Sequence, residues 1–267
     1  MNILILGDVM GPSGRKAIDQ NLQNIISKNK IDFTIINGEN AADDGKGITN
    51  SIANELFLKG VDVITSGNHI WDHKRIMSFI DSDQRLLRPL NYPKTAPGKG
   101  FGIYETKKGI HVVVINILCR LFMDLVDDPF LSLEDLLKLI NNKYEKMIII
   151  VDIHGEATSE KMALAHFLDG KVNIVIGTHT HVPTADQQIL EKGTFFQTDL
   201  GMCGDYDSVI GMKKDTSILR FRSKHLKTRS ETANGNATLC AALIDINEKK
   251  FSVNSYKQIK IGGKLGD

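Results

Sequence analysis

The feature that most constrains this chain is a set of five short apolar runs, each leading into side chains able to hold a metal. Residues 3–6 (ILIL) lead into Gly7-Asp8, and residues 33–36 (FTII) into Asn37-Gly38-Glu39-Asn40. Residues 61–64 (VDVI) lead through Thr65-Ser66 into Gly67-Asn68-His69. Residues 147–151 (MIIIV) lead into Asp152-Ile153-His154-Gly155, and residues 173–176 (NIVI) into Gly177-Thr178-His179-Thr180-His181. Short β-rich apolar runs bounded by glycine read as buried strands. In an open sheet, ligands gather in the crevice beyond the carboxyl ends of the strands. Loops at that edge bring Asp, Glu, Asn and His side chains together from positions far apart in sequence.

Composition removes several function classes. Lys plus Arg (33) nearly balance Asp plus Glu (32), so no global field pulls the chain toward nucleic acid or a membrane surface. A small nucleotide remains compatible, because a metal site brings its own positive charge. No apolar stretch approaches the roughly 18–20 residues that span a bilayer, and the start of the chain has no basic leader or small-residue cleavage site. Cys119, Cys203 and Cys240 are odd in number and form no CxxC pair, which predicts a reducing, cytoplasmic setting.

The order of elements predicts α/β architecture. Residues 10–14 (MGPSG) read as a turn before a helix carrying Ile18, Leu22, Ile25 and Ile26 on one face. Thr49 is placed to cap a second helix and Gly60 to end it. The third strand ends at Asn68-His69, which completes strand, helix, strand, helix, strand and predicts parallel pairing with right-handed crossovers. Residues 87–100 read as a proline-rich loop, residues 110–117 as a strand, residues 130–139 as a helix with Ser132 as its cap, and residues 159–168 as another helix. Residues 195–198, 218–222, 239–246 and 251–256 read as strands joined by turns, predicting a mixed or second sheet against the first. The expectation is one domain over 1–267.

The ordered blocks resemble the calcineurin-like metallophosphoesterases, and within them the YmdB-like branch. GDVMGPSGR (7–15), INGENAA (36–42), GVDVITSGNHIWD (60–72), LLRPLNYP (86–93), HGEATSEK (154–161), GTHTHVPTAD (177–186) and TDLGMCGDYDSVIGM (198–212) carry the likeness, from about residue 1 to about residue 256. The broad superfamily's first motif, Asp-x-His, is Asp8-Val9-Met10 here, and its bridging Asp is Glu39 followed by Asn40. Both departures are those of the YmdB-like branch. Asp43-Asp44 stands where that branch tends to have glycine.

The resemblance implies a four-layer α/β/β/α sandwich, two mixed sheets with helices outside. It also implies a dinuclear phosphodiesterase acting on small nucleotide diesters, with 2′,3′- or 3′,5′-cyclic nucleotides foremost. Two metals about 3.5–4 Å apart can activate a bridging hydroxide and stabilise both ends of an in-line displacement. By resemblance, Asp8, Glu39 and His181 serve one metal, and Glu39, Asn40, Asn68, His154 and His179 the other. Iron is favoured, with manganese or zinc also suited to imidazole, carboxylate and amide donors. Strand-like alternation through 179–181 would put both imidazoles on one side. His69 is implied to be the proton donor to the leaving oxygen, a role that suits an imidazole.

Other histidines carry simpler readings. His166 lies in a helical pattern and His111 in a strand, while His225 lies in the basic run 220–229 without ligand spacing. His73 fits either a pocket wall or a first helical turn. The basic run reads as a solvated rim rather than an RNA-binding surface, since Phe221 is its sole aromatic. Gly11 and Gly14 precede a helix N-terminus that could face a phosphate, without forming a P-loop. A phosphomonoesterase, or a metal-dependent nucleotide sensor with little turnover, is the alternative. No stable nucleic-acid partner and no membrane are expected; a homo-oligomer is compatible.

Overall fold

The computed structural model describes residues 1–141, 147–223 and 230–266. It opens with β1 (Asn2–Met10), α1 (Gly11–Asn29), β2 (Ile31–Asn40), α2 (Asn50–Leu58) and β3 (Val63–Thr65), followed by α3 (Ile76–Ser82). β4 (Phe101–Glu105), β5 (His111–Leu118), α4 (Pro129–Asn141), β6 (Met147–His154), α5 (Thr158–Leu168) and β7 (Ile174–Thr178) form the middle. β8 (Gln188–Ile189), β9 (Phe195–Gln197), β10 (Met202–Cys203), α6 (Lys214–Arg222), β11 (Leu239–Asn247) and β12 (Ser252–Ile261) complete the chain.

Two mixed sheets result. One runs β12-β11-β1-β2-β3, with β10 also pairing with β1, and the other runs β4-β5-β6-β7-β9-β8. The ligand-capable strands β1, β2 and β3 are mutually parallel, as are β5, β6 and β7. Their alternation explains why the runs are apolar throughout. Ile3, Ile5, Phe33 and Ile35 face Val112, Val114, Ile148 and Ile174 between the sheets. Leu4, Leu6 and Ile36 face Ile18, Leu22 and Leu56 of α1 and α2. On the far side, Ile115, Ile149 and Val175 pack under Leu133, Leu136 and Leu164 of α4 and α5. A strand buried on both faces needs no polar alternation. Each fully buried Val, Ile or Leu contributes about 1.5–3 kcal/mol, so the three packed layers set the architecture. The sandwich is α/β/β/α, as expected.

Several local expectations change. Residues 10–14 are no turn: α1 starts at Gly11, and Pro12 sits in its first turn, where its missing N–H costs nothing. Gly14 is there for packing, since a Cβ would lie 2.1 Å from the Cys203 carbonyl oxygen. Thr49 does cap α2, accepting from Ile52 N at 3.3 Å, and Gly60 follows its end at φ +90°. Ser132 does not cap α4; the Asp128 carboxylate does, accepting from Phe130 N and Leu131 N. β3 stops at Thr65, leaving Asn68-His69 in a turn.

The largest difference is at 218–222. ILRFR alternates as a strand would, yet it is the end of α6, a helix with no buried residue, Asp215 in its first turn and Arg220 and Arg222 in its last. Charges so placed match the helix dipole. The rest of the basic run, with His225, lies outside the described residues. The C-terminal strands also divide: β9 extends the second sheet, while β10, β11 and β12 join the first. Among the described residues no helix is long and apolar enough to cross a membrane.

Candidate metal centre

All the residues singled out at the strand ends arrive at one place, where the carboxyl ends of the two sheets' parallel strands meet. Asp8 leaves β1 between two register shifts against β2, at Leu6/Asp8 and Asp8/Met10. Such bulges re-aim side chains beside functional sites. Glu39 and Asn40 end β2, and His154 ends β6. His154 Nε2 lies 3.5 Å from Glu39 Oε1, and its Nδ1 lies 3.9 Å from Asp8 Oδ1. Gly67 makes room for this ring, because a Cβ there would stand 2.2 Å from His154 Cδ2.

The hydrogen-bond partners fix which imidazole nitrogens carry protons. Thr178 Oγ1 uses its one hydrogen on Asp152 Oδ1 (2.8 Å), so His154 Nδ1 is the donor to Thr178 Oγ1 (2.9 Å) and Nε2 keeps a lone pair. His179 Nδ1 pairs with His154 Nε2 at 3.1 Å, and its Nε2 lies 3.2 Å from the Glu156 carboxylate. His181 Nδ1 donates to the Ile210 carbonyl (2.8 Å), and Asn40 Nδ2 donates to the Gly45 carbonyl (2.9 Å). What remains is His181 Nε2 against Asn40 Oδ1 at 3.1 Å. There an acceptor faces an acceptor.

Three further acceptors are buried without any hydrogen-bond partner: Asp8 Oδ1, Glu39 Oε2 and Asn68 Oδ1. Burial pushes the Asp8 carboxyl well up, with Asp199 adding to it, and burial likewise raises Glu39. Burial holds His154, His179 and His181 below the usual imidazole value, so they are neutral at neutral pH. Among the described residues no three His, Cys, Asp or Glu side chains stand around one point as in a closed site. The donors instead crowd one another in pairs. Facing lone pairs and orphaned carboxylate oxygens in a low-dielectric pocket are the arrangement that a bound cation satisfies. The residues fit a metal centre.

A network beneath the centre links the sheets. Asp152 Oδ2 accepts from Thr65 Oγ1 (2.5 Å) and Asn37 Nδ2 (3.0 Å), and burial raises its carboxyl to about 6. Asp8 Oδ2 accepts from His179 N at 3.1 Å.

His69 sits at the rim, with its side chain 30% exposed. Its N–H donates to Glu39 Oε1 (2.8 Å), and its Nδ1 pairs with Asp72 Oδ2 (2.9 Å), which turns Nε2 outward as the free position. Above the centre opens a cavity of about 470 Å³, bounded by His69, Lys46, Ile210, Arg220 and Phe221. His73 lies apart from it, 3.4 Å from Asp44 in a separate hollow, and Arg15 pairs with Asp43 at 2.6 Å. Asp43 is therefore matched locally by Arg15.

Two expectations are revised. The segment 179–181 is not strand-like: β7 ends at Thr178, and His179 and His181 have φ of 102° and 66°. Asn40, expected beside His154 and His179, touches His181 instead. Lys46 and Arg220 bring two cationic side chains to the cavity. Asp72, Lys161 and Asp199 went unassigned in sequence. Asp72 lies three residues after His69, and Lys161 falls on α5's buried stripe with Leu164, Ala165 and Leu168. That stripe position was the available signal.

The fold defines an α/β/β/α sandwich of the phosphoesterase kind. The chain belongs to the YmdB-like protein family, whose model matches residues 4–259. It is 45% identical to the 2′,3′-cyclic-nucleotide 2′-phosphodiesterase of Bacillus subtilis over 98% of this chain and 97% of that one. A hypothetical protein from Thermus thermophilus has the same structure at a TM-score of 0.91, with 39% identity over 99% of this chain and 100% of that one. A phosphatase from Mycoplasma pneumoniae superimposes at 0.89, with 32% identity over 98% and 93% of the two chains.

Proposed function

We propose that this chain is a metal-dependent phosphodiesterase holding two divalent or mixed-valence transition-metal ions and hydrolysing small nucleotide diesters. The observation that carries this is the acceptor-to-acceptor facing of His181 with Asn40 beside three buried acceptors, Asp8 Oδ1, Glu39 Oε2 and Asn68 Oδ1, that have no partner. Asp8, Asn40 and His181 would hold one ion, and Asn68, His154 and His179 the other. Glu39, with one oxygen orphaned and the other 3.5 Å from His154, would bridge them. Imidazole, carboxylate and amide donors without thiolate suit iron, manganese or zinc, and the family resemblance favours iron. When bound, two such ions supply Lewis-acid charge at the phosphoryl group and activate water.

The chain's own groups do the rest. Asp72 accepts from His69 Nδ1, and with both ring nitrogens protonated Nε2 would give its proton to the departing ribose oxygen, leaving the neutral ring held by Asp72. Glu39 Oε1 ties the His69 backbone to the metal cradle. Ile210 and Phe221 offer apolar surface to a nucleoside, and a cavity of about 470 Å³ suits a ligand of that size. The Bacillus subtilis relative's name favours 2′,3′-cyclic over 3′,5′-cyclic nucleotides. A phosphomonoesterase is the second reading, favoured by Lys46 and Arg220 in the cavity, since a monoester dianion needs extra cations. A sensor without turnover is disfavoured, because a pure binder has no use for an oriented acid. The chain acts as one domain in a reducing cytoplasm, where its three buried thiols stay free.

Elemental analysis of protein purified without added metal should find close to two transition-metal ions per chain. A folded chain that takes up none, even from excess Mn(II) or Fe(II), would refute the cradle.

A further inference from the structure

Lys161 is fully buried, and its partner Asp199 is fully buried too. Lys161 Nζ reaches Asp199 Oδ2 at 2.9 Å and donates to the Thr178 carbonyl at 3.1 Å. The same Asp199 oxygen accepts from Thr180 N (3.0 Å) and Thr180 Oγ1 (2.8 Å), while its other oxygen accepts from Gly201 N (2.8 Å). The pair therefore grips the chain at Thr178, just before His179, and at Thr180, just after it.

Between and beyond those anchors the backbone is unusual. His179 and His181 both have left-handed φ, at 102° and 66°. Non-glycine residues enter that region rarely, and stay there only where their surroundings over-determine it. Here the turn lets His179 N reach Asp8 Oδ2 and the two rings reach His154 and Asn40. An extended continuation of β7 would send them elsewhere. Stability alone does not account for the pair, since well-packed apolar residues in place of a buried ion pair are often as stable or more so.

We propose that the buried Lys161–Asp199 ion pair is a clamp: two positioning residues that hold the His179-Thr180-His181 segment in its left-handed turn and thereby set the affinity of the centre for metal. The affinity half of this rests on the metal reading above; the conformational half does not.

The test is the double variant Lys161→Met/Asp199→Asn, which removes both charges together and leaves no unpaired buried ion. Its Mn(II) affinity is measured by calorimetry, its melting temperature without metal by circular dichroism, and its backbone by crystallography. The clamp predicts a folded protein melting near the wild type, a 10–100-fold weaker Mn(II) affinity, the usual cost of losing a group that orients metal ligands, and negative φ at His179 and His181. Wild-type Mn(II) affinity in the double variant, or an unchanged left-handed turn, would overturn it. If the double variant does not fold, Thr180→Val removes only the hydroxyl bond to Asp199. It should weaken Mn(II) binding in the same direction, and wild-type affinity there overturns the clamp. If the wild type itself binds no Mn(II), the metal reading fails, and the φ angles in the variant crystal still decide the clamp.

Discussion

His69→Ala should retain its metals yet turn over a nucleotide diester roughly 10²–10⁴-fold more slowly, the usual worth of a positioned general acid. The reason is geometric. His69 lies on the cavity wall with Nδ1 committed to Asp72 and its backbone N–H to Glu39. Only the ring is lost in the variant, and no proposed metal donor goes with it. A diester leaving as nitrophenolate needs little protonation, so the loss on bis-nitrophenyl phosphate should be much smaller than on a ribose leaving group. Steady-state turnover of both substrates, with metal content measured in parallel, checks this. An equal loss on the two would make His69 a binding or positioning group instead of the proton donor.

Glu39→Ala should have the larger effect, lowering occupancy at both metal positions and abolishing turnover with them. Glu39 is buried, one of its oxygens has no partner, and the other already accepts from His69 N. On the proposed reading one carboxylate so placed would serve two cations, whereas His154→Ala should deplete mainly one. Glu39→Gln separates charge from shape, because its amide oxygen can still accept from His69 N while the negative charge is gone. Elemental analysis of the three variants gives the answer. Two full metal equivalents in Glu39→Ala would remove the bridge from the account.

Much of this site was legible in the chain because a parallel strand buried on both faces leaves little freedom at its end. The run at residues 147–151 continues as strand through Asp152 to His154, which puts His154 at the carboxyl end of β6 and Asp152 just beneath it. Five such ends in two sheets converge by topology alone. The combined blocks then carried the family likeness that assigned roles.

What the chain hid has physical causes. The alternation of 218–222 satisfies the period of a strand, but α6 buries none of it, so periodicity had no core to report. The left-handed φ of His179 and His181 comes from tertiary anchors at Thr178 and Thr180, not from local preference. Asn40 reaches His181 because the Gly45 carbonyl orients its amide, a contact within a loop that no pattern encodes. Lys46 and Arg220 come to the cavity from the loop after β2 and from α6, where they would serve a monoester dianion as well as a diester.

Preference for diesters over monoesters is the central claim. The decisive measurement compares turnover of 2′,3′-cyclic nucleotides and bis-nitrophenyl phosphate with turnover of mononitrophenyl phosphate, by one preparation at matched pH and metal. The account predicts that the cyclic and bis-aryl diesters are hydrolysed and the monoester only weakly. Much faster turnover of mononitrophenyl phosphate than of any diester would contradict it and make the chain a phosphomonoesterase built on the same centre.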